Sequence, residues 1–431
     1  MELSYSPIEG KSRGYRIMVA ILAAGVGVLI ASFLMAYLEG FQVWGINNQV
    51  SWGQLITFDI YFIGLSAGAI IVSSLSYVFK REEYKPIGRI AVFAGLLIFA
   101  GAMVCVLCDL GRAEKFWRLF MYGYLNNMTS LFAINGILYV GYIVLMIAYL
   151  WFILEGKTKI AAVVGTIDVI WAIMVHTGTG AIFGFIGTRD ILFSPIKPFE
   201  FVAAALTSGT ALLILISVIT FKFAKRKMSP NLVRSLGQLL MFIIVLLLAM
   251  VFFDKLTHGY PPNREGLMFL FTGPYWWLFW IFQVGMGMFL PLIILSHRRL
   301  GKSVKGIMVA AASVIIGVFG ERAALIIPGM AQPQQFYPGH IEGMWGTYGH
   351  FLITPWETAI SLGIISLVIL LFVLGLKYLE LLPAEREAEA IPVIESAEAI
   401  PIEASSEPAP TYASSELAAA QGEGPVATGE E

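Results

Sequence analysis

Between Ile17 and Leu38 there is no charged residue. An apolar run of that length crosses a bilayer as a helix, because a backbone without water must satisfy its own polar groups. Runs of this kind recur along most of the sequence. Ten spans are expected, at about 16–38, 52–79, 86–109, 129–154, 160–186, 198–222, 232–254, 274–297, 304–328 and 355–378. Each reaches the ~20 residues that a hydrocarbon core requires. The expected fold is an all-α polytopic membrane protein. Composition agrees: 58% of residues are hydrophobic and 13% charged, outside the range of soluble domains. The first run follows Lys11, Arg13 and Arg16. It is long for a signal-peptide core and is read as a retained first span.

Twenty of the 28 Lys and Arg residues fall on one side of the expected spans. The positive-inside rule makes that side, and both termini, cytoplasmic, in the inner membrane. The opposite loops, 110–128, 187–197, 255–273 and 329–354, are longer and rich in Trp, Tyr, Pro and Gly, which suits docking of a partner. The basic residues are scattered over short loops and form no face for nucleic acid. Residues 1–382 form the membrane domain, and 383–431 read as a disordered acidic cytoplasmic tail. Cys105 and Cys108 form a C-x-x-C inside a hydrophobic span. Without a second ligand pair they read as small apolar fillers.

The membrane domain also repeats itself. "GLSAGA" (64–69) is echoed by "LTSGTA" (206–211), and Asp109 and Asp254 each close a span. The spacing separates the copies by four spans. Two parallel four-helix bundles are expected, at about 52–186 and 198–328, with flanking helices. Gly64 and Gly68 make a small-xxx-small pair that lets helices approach closely.

Polar side chains inside a membrane are costly and mark the sites that need them. At 1.5 Å per residue, His176 lies about 24 Å along the fifth span and Asp59 about 10 Å down the second. Asn135 and Asp109 fall at nearly the same level. Loss of two electrons and two protons by a quinol calls for such groups, since imidazole titrates near neutrality and a carboxyl group can take a proton. His176 would bond one quinol oxygen, with Asp59 or Asp109 near the other or orienting the imidazole. Thr177 and Thr179 would add bonds, and Gly178 and Gly180 would leave room for a flat ring. Alternatively, His176 is an interhelical hydrogen bonder with no ligand. Asp168, near the membrane middle, either passes protons along its helix or pairs across the bundle. Glu200, Asp254, Gln283, Glu321 and Arg322 cluster in the second bundle, with Glu321 and Arg322 read as a paired helix end. His258, His340 and His350 fall on loops and His297 at a helix end, where each reads as a surface residue. One histidine within a span excludes a pair of stacked haems, and two cysteines exclude an iron–sulfur cluster in this protein.

"FDIYFIGLSAGA" (58–69), "CDLGRAEKFWRLF" (108–120), "HTGTGAIFGF" (176–185), "GERAALIIPG" (320–329) and "TPWETAISLG" (354–363) resemble the NrfD/PsrC family of polysulfide-reductase-type membrane subunits. Ten spans resemble its longer branch, with the DsrP/HmeB-type subunits. The resemblance implies a haem-free subunit of a respiratory complex that oxidises menaquinol, or reduces menaquinone, near the outer face. It implies a ferredoxin-like iron–sulfur partner outside, with a c-type cytochrome and a cytochrome b-type membrane subunit as further partners, beside membrane lipid. His176 and Asp59 become the quinone-pocket residues, with Asp109 and Arg112 at its mouth and Trp117 in the adjoining loop. The sequence departs from the branch with an acidic residue shortly after the histidine: none follows His176 before Asp190. Two other classes stay open, a secondary transporter with two parallel repeats and a membrane anchor without a site. A transporter would place its polar groups at the midplane, whereas these lean outward.

Overall fold

A computed structural model describes residues 4–119, 121, 127, 129–262, 264–333 and 347–384. Apart from Pro383 and Ala384, the tail expected at 383–431 lies outside them, as does His340. Among the described residues, ten helices are long and apolar enough to cross a membrane. They are α1 (Arg13–Glu39), α2 (Gln54–Tyr77), α3 (Lys85–Asp109), α4 (Leu131–Leu154) and α5 (Thr158–Gly184). After these come α6 (Lys197–Phe223) and α7 (Pro230–Gly259), a short α8 (Glu265–Thr272), then α9 (Leu278–Ser296), α10 (Val304–Ala331) and α11 (Pro355–Tyr378). The first part of α9, Leu278–Phe289, is a π-helix.

Helix starts follow local chemistry. Ser12, Ser130 and Thr354 accept from Tyr15 N, Ala133 N and Glu357 N, filling orphan amides of the first turn. Proline opens α3, α6, α7 and α11, where its missing N–H costs nothing. The start of α2 differs, because Gly53 at its cap has no side chain to offer. Glu357 of α11 reaches across instead, its Oε1 accepting from Gln54 N at 2.6 Å and Leu55 N at 3.3 Å.

Helices α2 to α5 pack as one bundle, and α6, α7, α9 and α10 as a second. Helices α1 and α11 pair along the side of the first. The bundles meet where α2 packs on α6, with α5 and α10 alongside. Helix α2 is accordingly 89% buried over its apolar window, against 11% for α1, which faces lipid. Glycines make the α2–α6 crossing possible: a Cβ on Gly68 would lie 2.0 Å from the Ala205 carbonyl oxygen, and one on Gly209 2.3 Å from Gly68 Cα. Helices α9 and α10 cross as tightly, at Gly287 and Gly317.

At the lysine- and arginine-rich end, β1 (Tyr5–Ser6) pairs antiparallel with β2 (Leu382–Pro383). Arg89 caps the Tyr5 ring at 3.7 Å and donates to Glu380 O. Arg226 donates to Ser6 Oγ and to the carbonyls of Pro7 and Pro383. The two ends of the membrane domain are thus tied together.

Three expectations change. Helix α7 runs on to Gly259, so Asp254 lies within it, and His258 belongs to its last turn rather than to a loop. Glu321 and Arg322 sit well inside α10, not at a helix end. The loop expected at 255–273 contains α8.

Candidate functional site

His176 is buried on α5, with its Nε2 turned to α2, where a Cβ on Gly64 would meet it at 3.7 Å. The Nδ1 faces the Ala172 carbonyl of the preceding turn. The Arg322 guanidinium of α10 is within electrostatic reach. Arg322 itself lies over the Phe201 ring at 3.9 Å, and Phe201 stacks on Phe183, whose edge meets Trp52.

One turn further along α5, Thr179 gathers α4. Its Oγ1 accepts from Asn135 Nδ2 at 3.1 Å, lies 3.0 Å from Tyr139 OH, and donates to Val175 O at 2.8 Å. Gly178 is fixed by this arrangement, since a Cβ there would lie 2.2 Å from Asn135 Oδ1. Asp59, 6% exposed on α2, lies within electrostatic reach of Asp109 and Tyr139. Cys105 packs beside the two carboxyl groups, and both cysteines are buried and unlinked.

In this region Asp59 Oδ1, Asn135 Oδ1 and His176 Nδ1 are buried with no hydrogen-bond partner, as are the Nε and Nη2 of Arg322. Native interiors leave few such groups, and in a membrane each is expensive. The first three lie on α2, α4 and α5, with α5 packed against both other helices.

The expected residues do not all converge. Asp59 joins Asp109, and Asn135 joins Thr179. Gly64 lies five positions after Asp59, roughly 140° around a helix, so Asp59 and His176 flank different sides of α2, and among the described residues no carboxylate is bonded to the imidazole. Thr177 is partly exposed on α5 and stands outside the Thr179 network. Arg112 and Trp117 are exposed in the segment after α3, with Arg118 over the Trp117 ring at 5.6 Å. Asp168 is fully buried, with both oxygens unpartnered, beside Tyr142 and Tyr149.

The second bundle holds a polar set joined by ion pairs, in which Asp254 Oδ1, His258 Nε2, Glu321 Oε2 and the Nε and Nη2 of Arg322 have no hydrogen-bond partner. Lys197 Nζ bonds Glu200 at 2.7 Å and Asp254 at 3.1 Å, and Lys255 bonds Asp254 at 2.8 Å. His258 Nδ1 lies 2.7 Å from the Asp254 carbonyl oxygen, and Arg322 bonds Glu321 at 3.3 Å. Outside the spans, Arg189 donates to the carbonyls of Gly329, Met330 and Gln332 at the end of α10. Burial lowers its affinity for a proton below the usual arginine value.

Tyr139, Lys197 and Glu357 escaped the sequence reading. Tyr139 falls four residues after Asn135, a spacing that puts both on one helix face. Lys197 opens "KPFE", three residues before Glu200. Glu357 stands in "TPWETA", two residues after the proline that opens α11.

The family described as "Polysulphide reductase, NrfD" matches residues 42–334. A protein of Archaeoglobus fulgidus described as an Hdr-like menaquinol oxidoreductase integral membrane subunit is 33% identical, over 89% of this protein and 98% of its own length. The integral membrane subunit of the menaquinone reductase of Nitratidesulfovibrio vulgaris is 27% identical, over 84% and 90%. The C subunit of the polysulfide reductase of Wolinella succinogenes is 24% identical, over 67% and 98%.

Proposed function

Because the chain belongs to the NrfD family of polysulphide reductases, we propose that it is the quinone-reactive membrane subunit of a multi-subunit oxidoreductase, with menaquinol or menaquinone as its substrate. The Archaeoglobus and Nitratidesulfovibrio relatives have menaquinol or menaquinone in their descriptions. The observation that carries the reading is the trio of buried, unpartnered atoms Asp59 Oδ1, Asn135 Oδ1 and His176 Nδ1.

Oxidation of one quinol releases two electrons and two protons. His176 hydrogen-bonds one quinol oxygen through a ring nitrogen and accepts its proton. The Asp59–Asp109 pair accepts a proton from the other side, and Asn135 Oδ1 accepts a hydrogen bond from a hydroxyl. Thr177 borders the ring. In the reducing direction the same groups return the protons. The basic end of the bundle is cytoplasmic, so this site lies toward the outer face, and both termini are inside. Arg112 and Trp117 stand at its mouth, where an iron–sulfur subunit docks and takes the electrons. The protein is therefore one part of the enzyme and not the whole of it. Asp168, with Tyr142 and Tyr149 beside it, continues the polar groups of the bundle toward the basic end and serves as a proton path.

Binding of a fluorescent quinone-site inhibitor to the purified complex tests the pocket. His176→Ala and Asp59→Asn should each weaken binding about tenfold or more, the equivalent of about 1.4 kcal/mol. His297→Ala, at the basic end, should leave it unchanged. Equal affinity in all four proteins would refute the assignment.

A further inference from the structure

A large cavity lies away from these polar groups. It is a slot of about 1350 Å³ between α2, α6 and α11, larger than the roughly 300–1,000 Å³ of ordinary small-molecule pockets. On α6 its wall runs from Leu212 to Phe223, about 16 Å of helix and so about one leaflet of the hydrocarbon core. Phe58 and Tyr61 close the top. The Tyr61 hydroxyl is engaged with Ile315 O at 2.9 Å, so the upper slot is apolar. The bottom is different. It is floored by residues 6–12, and its rim bears Lys11, Lys225 and Arg226 against one acid, Glu9. Lys225 holds a left-handed backbone, φ 54°, a conformation that costs a non-glycine residue on the order of 1 kcal/mol. Arg226 is fixed at the rim by Ser6, Pro7 and Pro383. The slot also opens sideways to the membrane past Ile219 and Ile369, which are 42% and 43% exposed.

We propose that this slot is the site of one tightly held anionic glycerophospholipid. Its acyl tails lie between α11 and the α2–α6 seam, and its phosphate head meets Lys11, Lys225 and Arg226. Three features select this occupant. The bulk and apolar length suit acyl tails. The basic rim suits a negative head group near the membrane surface. A quinone is disfavoured because no histidine or carboxylate lines the apolar part of the slot, so nothing there would exchange its protons. The lipid would wedge the α1–α11 pair against the first bundle and so support Glu357, which caps α2. This inference does not rest on the quinone reading.

The test is lipid retention by the intact purified complex, reconstituted with phosphatidylglycerol or phosphatidylcholine and measured by mass spectrometry after detergent washing. The wild type should keep one phosphatidylglycerol per protein and little phosphatidylcholine. The double variant Lys11→Glu/Lys225→Glu should lose about tenfold of the retained phosphatidylglycerol. Ile216→Trp, which fills the wall without touching charge, should release both lipids. His176→Ala should retain lipid like the wild type, which keeps failure of this proposal separate from failure of the quinone site. Equal retention of the two lipids, retention unaffected by Ile216→Trp, or recovery of quinone from the slot in place of phospholipid would each overturn the proposal.

Discussion

Gly64 and Gly68 lie four residues apart on one face of α2, and the same substitution should act oppositely at the two. Alanine at Gly68 would place its Cβ 2.0 Å from the Ala205 carbonyl oxygen and 2.7 Å from Gly209 Cα. Both obstacles are backbone, which cannot rotate away as a side group could. Reaching ordinary contact near 3.5 Å requires the helices to part by roughly 1.5 Å. Overpacking of this kind costs about 1–3 kcal/mol, and a rigid wall points to the upper end. The better helix propensity of alanine returns about 1 kcal/mol, leaving a net loss of about 2 kcal/mol. Alanine at Gly64 would meet His176 Nε2, Ser208 Oγ and Ala205 Cα at 3.7, 3.8 and 4.0 Å, all ordinary contacts. It should be neutral or stabilising by up to about 1 kcal/mol. The two variants should therefore differ by roughly 2–3 kcal/mol in unfolding free energy, measured by denaturant titration of the purified protein in detergent with tryptophan fluorescence. Gly64→Ala should still impair quinone binding, because it narrows the space beside the imidazole. Equal stability of the two variants would refute the argument that the α2–α6 seam is set by backbone contact at Gly68.

Other substitutions follow from the same geometry. Lys197→Met should destabilise by about 3–5 kcal/mol, since it leaves Glu200 and Asp254 buried without their shared cation; loss of folded protein on size exclusion checks this. Glu357→Ala should cost about 2 kcal/mol by uncapping α2, and Glu357→Gln should restore part of it in the same unfolding assay. Gly178→Ala should disturb mainly function: the Asn135 carboxamide must swing away and release Thr179, which should raise the KM for quinol while unfolding shifts by about 1 kcal/mol. Cys105→Ala/Cys108→Ala should retain quinol turnover within about twofold, because both thiols act as apolar filling.

The spans were legible because their length and apolarity are dictated by the bilayer and need no tertiary information. The expected level of His176, Asp59, Asn135 and Asp109 came from the same source, since depth is counted along a helix. Which groups face one another was not legible. That depends on rotation about each helix axis, and rotation is set by contacts such as Gly68 on Gly209 that no single segment encodes. Hence Thr179 turned inward to Asn135 and Thr177 did not, and His176 met Gly64 rather than Asp59. Lys197 was hidden for another reason. At the first residue of a helix it looks like a loop lysine, and only packing reveals that it is the counterion of two buried acids. Helix α8, with eight residues, is too short for a hydropathy pattern to separate it from loop.

The most direct measurement is menaquinol-analogue oxidation by the purified complex, comparing wild type with His176→Ala and Asp59→Asn, with assembly checked by retention of the partner subunits. The account predicts that turnover collapses in both variants while the complex stays assembled. Wild-type turnover in both assembled variants would contradict it and leave the buried imidazole and carboxyl groups as interhelical bonding alone.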